Sequence, residues 1–319
     1  MDAIVAEGLE KRYGNVQALA GLSFAVREGE VFGLLGPNGA GKSTATRILV
    51  TLTKPDSGRG VVAGHDVVRE PARVRRSLGY IPQASGVDRD ATGRENLVLQ
   101  GRVQGLRGRD LHARVDELLG TFGLADAGDR LVRGYSGGMK RRLDVALGLV
   151  HGPSVLFLDE PTTGLDPEAR AAMWEELERL ARRERLTILL TTHYLEEADR
   201  LADRLAIVSR GRVVVEGTPE ELKRGLQGDS VTVELEDGQS ERAAEVVRSL
   251  GVVLETVVDG RHVRARVEHG AGAVPGILSA LEAGGVPVAS VTVARPSLDD
   301  VYLHFTGRDF HAEDEEGRE

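Results

Sequence analysis

The stretch GPNGAGKST, from Gly36 to Thr44, is the strongest indication of fold class in this chain. It matches the pattern G-x-x-x-x-G-K-[ST] and stands between the apolar run EVFGLL at 30–35 and a helical pattern at 44–52. A strand, a glycine-rich turn and a helix form the context in which this motif binds phosphate. Glycines let consecutive backbone N–H groups face one anion, and the helix N-terminus adds a favourable field. The stretch predicts a phosphate-binding loop in an α/β protein.

All residues of this loop are candidate contacts to a nucleotide. Lys42 supplies a positive charge for the β- and γ-phosphates, and Ser43 supplies a hydroxyl for Mg²⁺. The alternative is a glycine-rich turn with an unrelated lysine, which the flanking strand and helix disfavour. The predicted nucleotide contacts here are Gly36, Pro37, Asn38, Gly39, Ala40, Gly41, Lys42, Ser43 and Thr44.

Two adjacent carboxylates form the second half of the predicted site. Asp159 and Glu160 follow the apolar run of SVLFLDEP, at the carboxyl end of a predicted strand. Ligands of open α/β sheets bind at such strand ends. We expect Asp159 to act on Mg²⁺ directly or through water, and Glu160 to polarise an attacking water as a base or positioning group. The alternative, that both are ordinary loop residues, is disfavoured by the phosphate loop upstream.

Composition excludes several classes of function. The 319 residues contain no cysteine, which excludes disulfides, zinc–thiolate sites and cysteine nucleophiles. A formal charge of −9 and 4% aromatic residues argue against broad nucleic-acid binding, so we expect no nucleic-acid partner. The N-terminal MDAIVAEGLEKRYG lacks signal-peptide features, and no apolar stretch approaches the ~20 residues needed to span a bilayer. If the protein works at a membrane, we expect a partner to hold it there.

Five further motifs occur in one order over residues 1 to about 225. They are Tyr13 in KRYGNVQAL, Gln83 after YIP, YSGGM at 135–139, TTGLDP at 162–167, and His193 after LTILLTT. Together with the phosphate loop and the carboxylates, this order resembles the nucleotide-binding subunit of ATP-binding cassette (ABC) transporters. The resemblance implies ATP and Mg²⁺ as cofactors and ATP hydrolysis as the activity. It also implies a P-loop NTPase core over 1–225, with an antiparallel β part and a helical subdomain at about 84–150.

The same resemblance implies a role for each matching residue. Tyr13 would stack on adenine, and Val16 would pack near the base or ribose. Gln83 would reach Mg²⁺ and report the nucleotide state to a membrane partner. His193 would hydrogen-bond the γ-phosphate and the attacking water, and Lys42 and Glu160 complete the catalytic set. Asp166 would couple two sites across a subunit interface, although it could instead serve only as a helix cap, as Tyr13 could be a surface aromatic.

The resemblance further implies an ATP-dependent homodimer. Two such domains face each other head to tail, and each ATP lies between one phosphate loop and the signature Ser136, Gly137 and Gly138 of the other chain. One loop and one signature per chain give two sites related by C₂ symmetry. Hydrolysis removes the γ-phosphate contacts and loosens the dimer.

The signature departs from the family's usual Leu-Ser-Gly-Gly-Gln. Tyr135 replaces the leucine and Met139 replaces the glutamine, so we expect an active site with altered packing on either side. Ser136 is predicted to cap a helix that lacks the capping-box acid three residues later, which leaves its first turn open to an anion. We expect the basic run Lys140–Arg142 to face solvent or neighbouring acids.

The GGM signature, the TTGLDP form and the terminal PSLDDVYLHFTGR resemble one branch of the family, the ATPase subunits of bacterial daunorubicin/doxorubicin-resistance exporters. This branch implies efflux of a hydrophobic drug or antibiotic through a separate membrane permease, at the cytoplasmic face of the membrane. An exporter of lipid, polysaccharide or ion remains open. A soluble ATPase acting on ribosomes is disfavoured because only one nucleotide domain is present, and one acting on DNA because no sustained heptads occur.

The C-terminal part is predicted to be a separate small module. Composition changes near 225–229, and from Ser230 the pattern is β-α-β-β-α-β, typical of a ferredoxin-like fold, followed by a last helix in PSLDDVYLHFTG. We place this α+β accessory domain at 229–306, and we expect the acidic tail 307–319 to be disordered. Regulation, dimer support, docking or a purely structural role all remain open for it.

Overall fold

The computed structural model describes residues 1–184, 186–226, 228–236 and 239–306. The predicted acidic tail lies outside these residues. The chain divides into two compact units. Among the described residues, the first ends at Gly217 and the second begins at Thr218.

The first unit contains an antiparallel sheet formed by the N-terminal hairpin and the strands after the phosphate loop. Its order is β2-β1-β4-β5. One face buries apolar side chains such as Leu9, Leu22 and Phe24 against helix α1 (Lys42–Leu49) and its neighbours. The strands are β1 (Asp2–Tyr13), β2 (Val16–Arg27), β4 (Ser57–Val62) and β5 (His65–Asp66).

A six-stranded sheet forms the centre of this unit, in the order β10-β9-β3-β8-β7-β6. Five strands are parallel, and β10 pairs antiparallel with β9. The middle strands are buried on both faces, which explains their continuous apolar runs. The strands are β3 (Val31–Leu35), β6 (Leu78–Ile81), β7 (Val155–Asp159), β8 (Thr187–Thr192), β9 (Arg204–Ser209) and β10 (Arg212–Gly217).

Helices follow the strands as the α/β prediction requires. Helix α1 starts at the phosphate loop but ends at Leu49, three residues before the predicted end, and Thr51 just beyond it has a positive φ. Three helices lie in the predicted helical part and share a buried core that includes Leu97, Leu111 and Leu143. The helices of this unit are α1 (Lys42–Leu49), α2 (Pro71–Ser77), α3 (Gly93–Val103), α4 (Gly108–Thr121), α5 (Gly137–Leu149), α6 (Pro167–Glu184) and α7 (Leu195–Leu201).

The second unit has the predicted β-α-β-β-α-β order, and its four strands form an antiparallel sheet in the order β12-β13-β11-β14. Helices α9 and α10 cover one face over a core that includes Val231, Val263 and Ile277. The elements are α8 (Pro219–Gly225), β11 (Asp229–Leu235), α9 (Ser240–Arg248), β12 (Val253–Asp259), β13 (His262–Val267), α10 (Gly270–Ala283), β14 (Val288–Ala294) and α11 (Leu298–Thr306).

Helix α8 lies in the second unit, although the sequence placed the end of the first domain at 225. It packs on α11 of the same unit, so the division falls at Gly217. The predicted capping box at its start is confirmed, with Thr218 and Glu221 bonded reciprocally. None of the helices among the described residues is long and apolar enough to cross a membrane.

Candidate active site

The phosphate loop joins β3 to α1 and depends on glycine for steric reasons. Gly39 and Gly41 have φ values of 79° and 110°, which L side chains rarely adopt. A Cβ on Gly36 would lie 2.4 Å from the carbonyl oxygen of Val208, and one on Gly41 would lie 2.6 Å from that of Ala18. The loop backbone is thus held against neighbouring strands in one curled conformation.

The lysine and serine of the loop point toward the predicted carboxylates. The buried Nζ of Lys42 donates to the carbonyl oxygens of Gly36 and Pro37 at 2.6 and 3.0 Å, and it lies 3.8 Å from Oε1 of Glu160. Ser43 Oγ donates to Oδ1 of Asp159 at 3.1 Å. The two halves of the predicted site therefore converge.

Asp159 ends β7 and is held by hydroxyl groups. Thr191 Oγ1 donates to its Oδ1 at 2.6 Å, and the hydroxyl of Tyr80 lies 3.5 Å from its Oδ2. Thr191 reaches it because β7 and β8 are parallel neighbours whose register pairs the two residues directly. The carboxylate is fixed at the sheet edge that faces the phosphate loop.

Glu160 follows in a strained backbone conformation, with a φ of 47°. Gln83 Nε2 donates to its Oε2 at 3.0 Å, and Thr163 Oγ1 donates to the same oxygen at 3.2 Å. Nδ1 of His193 lies 3.2 Å from this oxygen without good hydrogen-bond geometry. Three predicted site residues, Gln83, Glu160 and His193, thus meet in one cluster.

The environment of Glu160 favours its ionised form. Burial by itself would raise the pKa of its carboxyl group, but His193, Lys42 and Thr163 together hold the pKa below its usual value. The side chain is therefore present as the carboxylate, the form that can accept a hydrogen bond or a proton from a bound water.

The prediction that the basic run Lys140–Arg142 faces solvent or neighbouring acids is wrong for Arg141. Its side chain is buried, whereas Lys140 and Arg142 on either side are partly exposed. The guanidinium donates to the carbonyl oxygens of Pro161 at 2.6 Å and Pro82 at 2.8 Å. It also donates to those of Asp159 and Glu160, at 3.3 and 3.4 Å. Burial lowers the pKa of Arg141 while nearby carboxylates raise it.

The signature residues lie on the surface at the start of α5. Ser136 and Gly137 are exposed, and Gly138 is partly exposed. The predicted cap is confirmed, because Ser136 Oγ accepts from the backbone N–H of Met139. A Cβ on Gly137 or Gly138 would meet only side-chain atoms, at 3.8 and 3.4 Å.

Tyr13 and Val16 stand apart from the carboxylate cluster. They are paired at the tip of the β1–β2 hairpin, where they are 46% and 66% exposed. The predicted cap of α6 is confirmed, because Asp166 Oδ1 accepts from the backbone N–H of Ala169 at 2.8 Å.

Sequence reasoning missed four contributors to this site: Tyr80, Thr191, Thr163 and Arg141. The sequence offered an indication for Thr191, because this residue stands two positions before His193 at the end of a strand that neighbours β7. The indication for Thr163 was weaker: it lies three residues after Glu160. No local pattern indicated Arg141, since its burial depends on how α5 packs against two strand ends far away in sequence.

The residues present fit a Mg²⁺ ion. Ser43 Oγ and Asp159 Oδ1 are hard oxygen donors that lie 3.1 Å apart, and Mg²⁺ prefers such ligands. Within the described ranges no group of three or more His, Asp or Glu side chains forms a metal site by itself. Nucleotide phosphates and water would complete the coordination, as is usual for Mg²⁺. Gln83 is directed at Glu160 instead.

Comparison with known proteins agrees with this geometry. Residues 19–163 match the family described as ABC transporter, and 217–306 match the C-terminal domain of ATP-binding protein DrrA1-3-like. The daunorubicin resistance ATP-binding protein DrrA3 of Streptomyces coeruleorubidus is 50% identical over 96% of each chain. The daunorubicin/doxorubicin resistance ATP-binding protein DrrA of Streptomyces peucetius is 46% identical over 96% of this chain and 92% of its own.

More distant relatives are similar over nearly the same length. The Nod factor export ATP-binding protein I of Rhizobium sp. (strain N33) is 40% identical over 96% of this chain and 98% of its own. Among solved structures, cbiO1 from Clostridium perfringens, part of the ABC transporter complex cbiONQ, superposes with a TM-score of 0.64. It is 30% identical and covers 69% of this chain and 90% of its own. The chain therefore belongs to the ABC transporter family of ATPases, in the branch of the DrrA-type ATP-binding proteins.

Proposed function

We propose that this chain hydrolyses ATP to drive efflux of a hydrophobic drug or antibiotic through a separate permease, at the cytoplasmic face of a bacterial membrane. The observation that carries the catalytic part is the cluster of Lys42, Gln83 and His193 around the ionised Glu160. The cargo is proposed from relatives named for daunorubicin or doxorubicin resistance, at 46–50% identity over nearly the whole chain.

The phosphate loop would bind the triphosphate through its backbone N–H groups and the N-terminus of α1. Lys42 lies 2.6 Å from the carbonyl oxygen of Gly36, so its ammonium stands above the loop, where β- and γ-phosphates would lie. Tyr13 would stack on adenine, and Val16 would pack beside it. Their exposure leaves both side chains accessible to a ligand.

Ser43 and Asp159 would hold Mg²⁺, and Gln83 would reach it through a rotation of its side chain. The ion, when bound, would neutralise charge on the β- and γ-phosphates. Thr191 supports this arrangement because its hydrogen bond fixes the orientation of the Asp159 carboxylate.

Glu160 would accept a proton from the water that attacks the γ-phosphate. Its lowered pKa keeps it ionised at neutral pH, and Thr163 orients its Oε2. His193, which lies beside the same oxygen, would bind the γ-phosphate and the water.

The signature would complete the site of a second copy. Ser136 and Gly137 are exposed at the N-terminus of α5, where free N–H groups favour an anion. An ATP-dependent homodimer would place this terminus on the γ-phosphate bound by the other chain, and Asp166 would lie at the interface. This ATP-dependent dimer would loosen after hydrolysis removes the γ-phosphate contacts.

A different exported cargo is the second candidate. Relatives named for Nod factor export are 40–41% identical over 94–96% of this chain. The ATPase site would be the same in both cases, so transport assays with the permease must decide between the cargoes.

Replacement of the proposed base tests the catalytic assignment. Glu160→Gln should bind ATP and accumulate as an ATP-bound dimer, because the attacking water lacks its proton acceptor. Steady-state phosphate release should fall about 100-fold or more. Phosphate release and the mass of the ATP-bound species measure the two effects.

Glu175→Gln is the matched control, since Glu175 is an exposed glutamate on α6. It should release phosphate at the wild-type rate. Near-normal phosphate release by Glu160→Gln would refute the assignment of Glu160 as the base.

A further inference from the structure

The segment 270–294 is almost free of charge. It contains one charged residue, Glu282, among 25, in a chain in which 29% of residues are charged. It comprises α10, a short connection and β14. The preceding helix and strand of the same unit carry charges throughout, with Glu241, Arg242 and Glu245 on α9 and Glu255 on β12.

Strand β14 lies at one edge of the four-stranded sheet. In the described part of the chain it pairs only with β11, so its other side presents unpaired backbone groups. Ala289, Ser290, Thr292 and Val293 are exposed along this edge. Natural edge strands usually carry lysine, proline or inward charges that prevent pairing with another strand. Residues 288–294 carry none of these.

The opposite edge strand, β12, carries a charged residue, Glu255, as edge strands usually do. Glu255 on β12 binds Arg266 at 2.7 Å and lies 3.3 Å from Nδ1 of His304. Strand β12 thus carries a charged residue of its own, whereas β14 carries none, and the carboxylate beside β14 is that of Glu234 on β11, which accepts from the Ser290 hydroxyl at 3.0 Å. The two edges therefore differ in the charge of their own strand residues, and β14 is the edge strand without a charged residue.

The sequence of β14 is complementary to itself. VASVTVA reads nearly the same in both directions about Val291, so an antiparallel copy of β14 would place Ser290 opposite Thr292 and Ala289 opposite Val293. Both pairs join side chains of matching polarity, and hydroxyl pairs across antiparallel strands are favourable. No charge opposes a like charge in this register.

We propose that β14 pairs antiparallel with β14 of a second copy of the chain and joins the two four-stranded sheets into one of eight strands. The contact is a C₂ interface in which main-chain hydrogen bonds supply affinity. The two-fold axis would stand perpendicular to the sheet, so both α10 helices would lie on the same face.

The exposed surface of helix α10 is suited to contact a second copy of the chain. It packs beside β14, and its exposed residues are small or apolar apart from Glu282 and Ser279. Leu278 is 38% exposed. The uncharged edge thus continues into a helix surface whose one charged residue is Glu282, and this surface would be excluded from water at the junction.

This contact needs no nucleotide. It differs from the ATP-dependent dimer proposed above, which uses Ser136 and the phosphate loop. Two chains joined through β14 would remain associated after ATP hydrolysis has loosened the nucleotide sandwich.

The mass of the full chain without nucleotide tests the proposal. At tens of micromolar, light scattering should give about twice the 34.3 kDa of one chain. Ser290→Lys with Thr292→Lys opposes two pairs of lysines across the junction and should weaken association about tenfold or more.

A charge swap makes the test specific. Ser290→Lys with Thr292→Glu places opposite charges across the same junction and should restore the dimer. Val252→Lys with Leu254→Lys adds equal charge to exposed positions at the opposite edge and should leave the dimer intact. Equal thermal unfolding of all variants shows that each is folded.

Three outcomes would overturn the proposal: a monomeric wild-type chain at this concentration, a double-lysine variant that remains dimeric, or a charge swap that fails to restore the dimer. Failure of the ATPase assignment is distinguished by a further measurement. The double-lysine change made in Glu160→Gln should still allow dimerisation when ATP is added.

Discussion

Arg141 links the signature helix to the backbone carbonyl groups of Asp159 and Glu160. It lies one turn into α5, and its guanidinium donates to backbone oxygens that follow β6 and β7, including those of Asp159 and Glu160. Buried carbonyl groups need such donors, and a buried cation needs nearby negative charge. Asp144, also buried on α5, supplies part of that charge. One side chain thus sets the position of the strand ends that carry the catalytic groups.

Removal of this guanidinium should destabilise the fold strongly. Arg141→Leu leaves several buried carbonyl oxygens without donors and Asp144 without its cation, so we expect a loss of about 3 kcal/mol or more. Arg141→Lys keeps the charge but cannot reach all the acceptors, and it should lose less. Denaturant unfolding measures both variants.

Lys140→Ala is the control for this change, because the neighbouring Lys140 is only partly buried. It should alter the free energy of unfolding by about 0.5 kcal/mol or less. Equal losses for Arg141→Leu and Lys140→Ala would contradict the role given to Arg141.

The signature precedes and opens helix α5, and its two unusual residues, Tyr135 and Met139, pack against the core. Tyr135 is 4% exposed, and its hydroxyl donates to the carbonyl oxygen of Ala127 at 2.6 Å. A Cβ on Gly93 would lie 2.5 Å from this hydroxyl, so α3 must present a glycine there. Met139 packs against the same core. Both unusual residues therefore pack behind the signature, while Ser136 and Gly137 remain exposed.

The hydroxyl of Tyr135 should contribute to stability. Tyr135→Phe leaves the carbonyl oxygen of Ala127 without its donor, and we expect a loss of about 1–2 kcal/mol in denaturant unfolding. ATP turnover of the folded variant should stay near the wild-type value, because the exposed part of the signature is unchanged.

Tyr13→Phe provides the comparison, since Tyr13 lies in an exposed hairpin. Its free energy of unfolding should match the wild type within about 0.5 kcal/mol. A Tyr135→Phe variant as stable as Tyr13→Phe would show that the buried hydrogen bond has no net effect.

The two compact units separate the nucleotide chemistry from the C-terminal module. Every residue proposed to bind ATP or Mg²⁺ lies within Met1–Gly217. The second unit has its own core and its own sheet. Units with separate cores are able to fold independently.

Truncation after Gly217 tests this division. The shortened chain should bind ATP with a free energy within about 0.5 kcal/mol of the full chain, since no residue proposed to bind ATP lies in the removed unit. Fluorescent nucleotide titration measures the affinity, with Lys42→Ala in the same truncation as the non-binding control. A folded truncation that no longer binds nucleotide would contradict the division.

The sequence by itself determined the α/β class, the phosphate loop, the two carboxylates and the β-α-β-β-α-β module. These features are local: a glycine-rich turn between a strand and a helix, acids at a strand end, and a period of two or 3.6 residues are visible within a short window. The helix caps at Ser136, Asp166 and Thr218 were predictable for the same reason, because a cap is made within one turn.

The tertiary structure decided which side chains meet. Thr191 reaches Asp159 through the register of two parallel strands, Arg141 is buried by packing across long sequence separations, and Gln83 joins His193 only at Glu160. It also showed that, among the residues the structure describes, β14 pairs on one side only, which depends on strand order and not on strand sequence. Burial and strand neighbours arise from contacts between residues far apart in the chain, and a local pattern does not contain them.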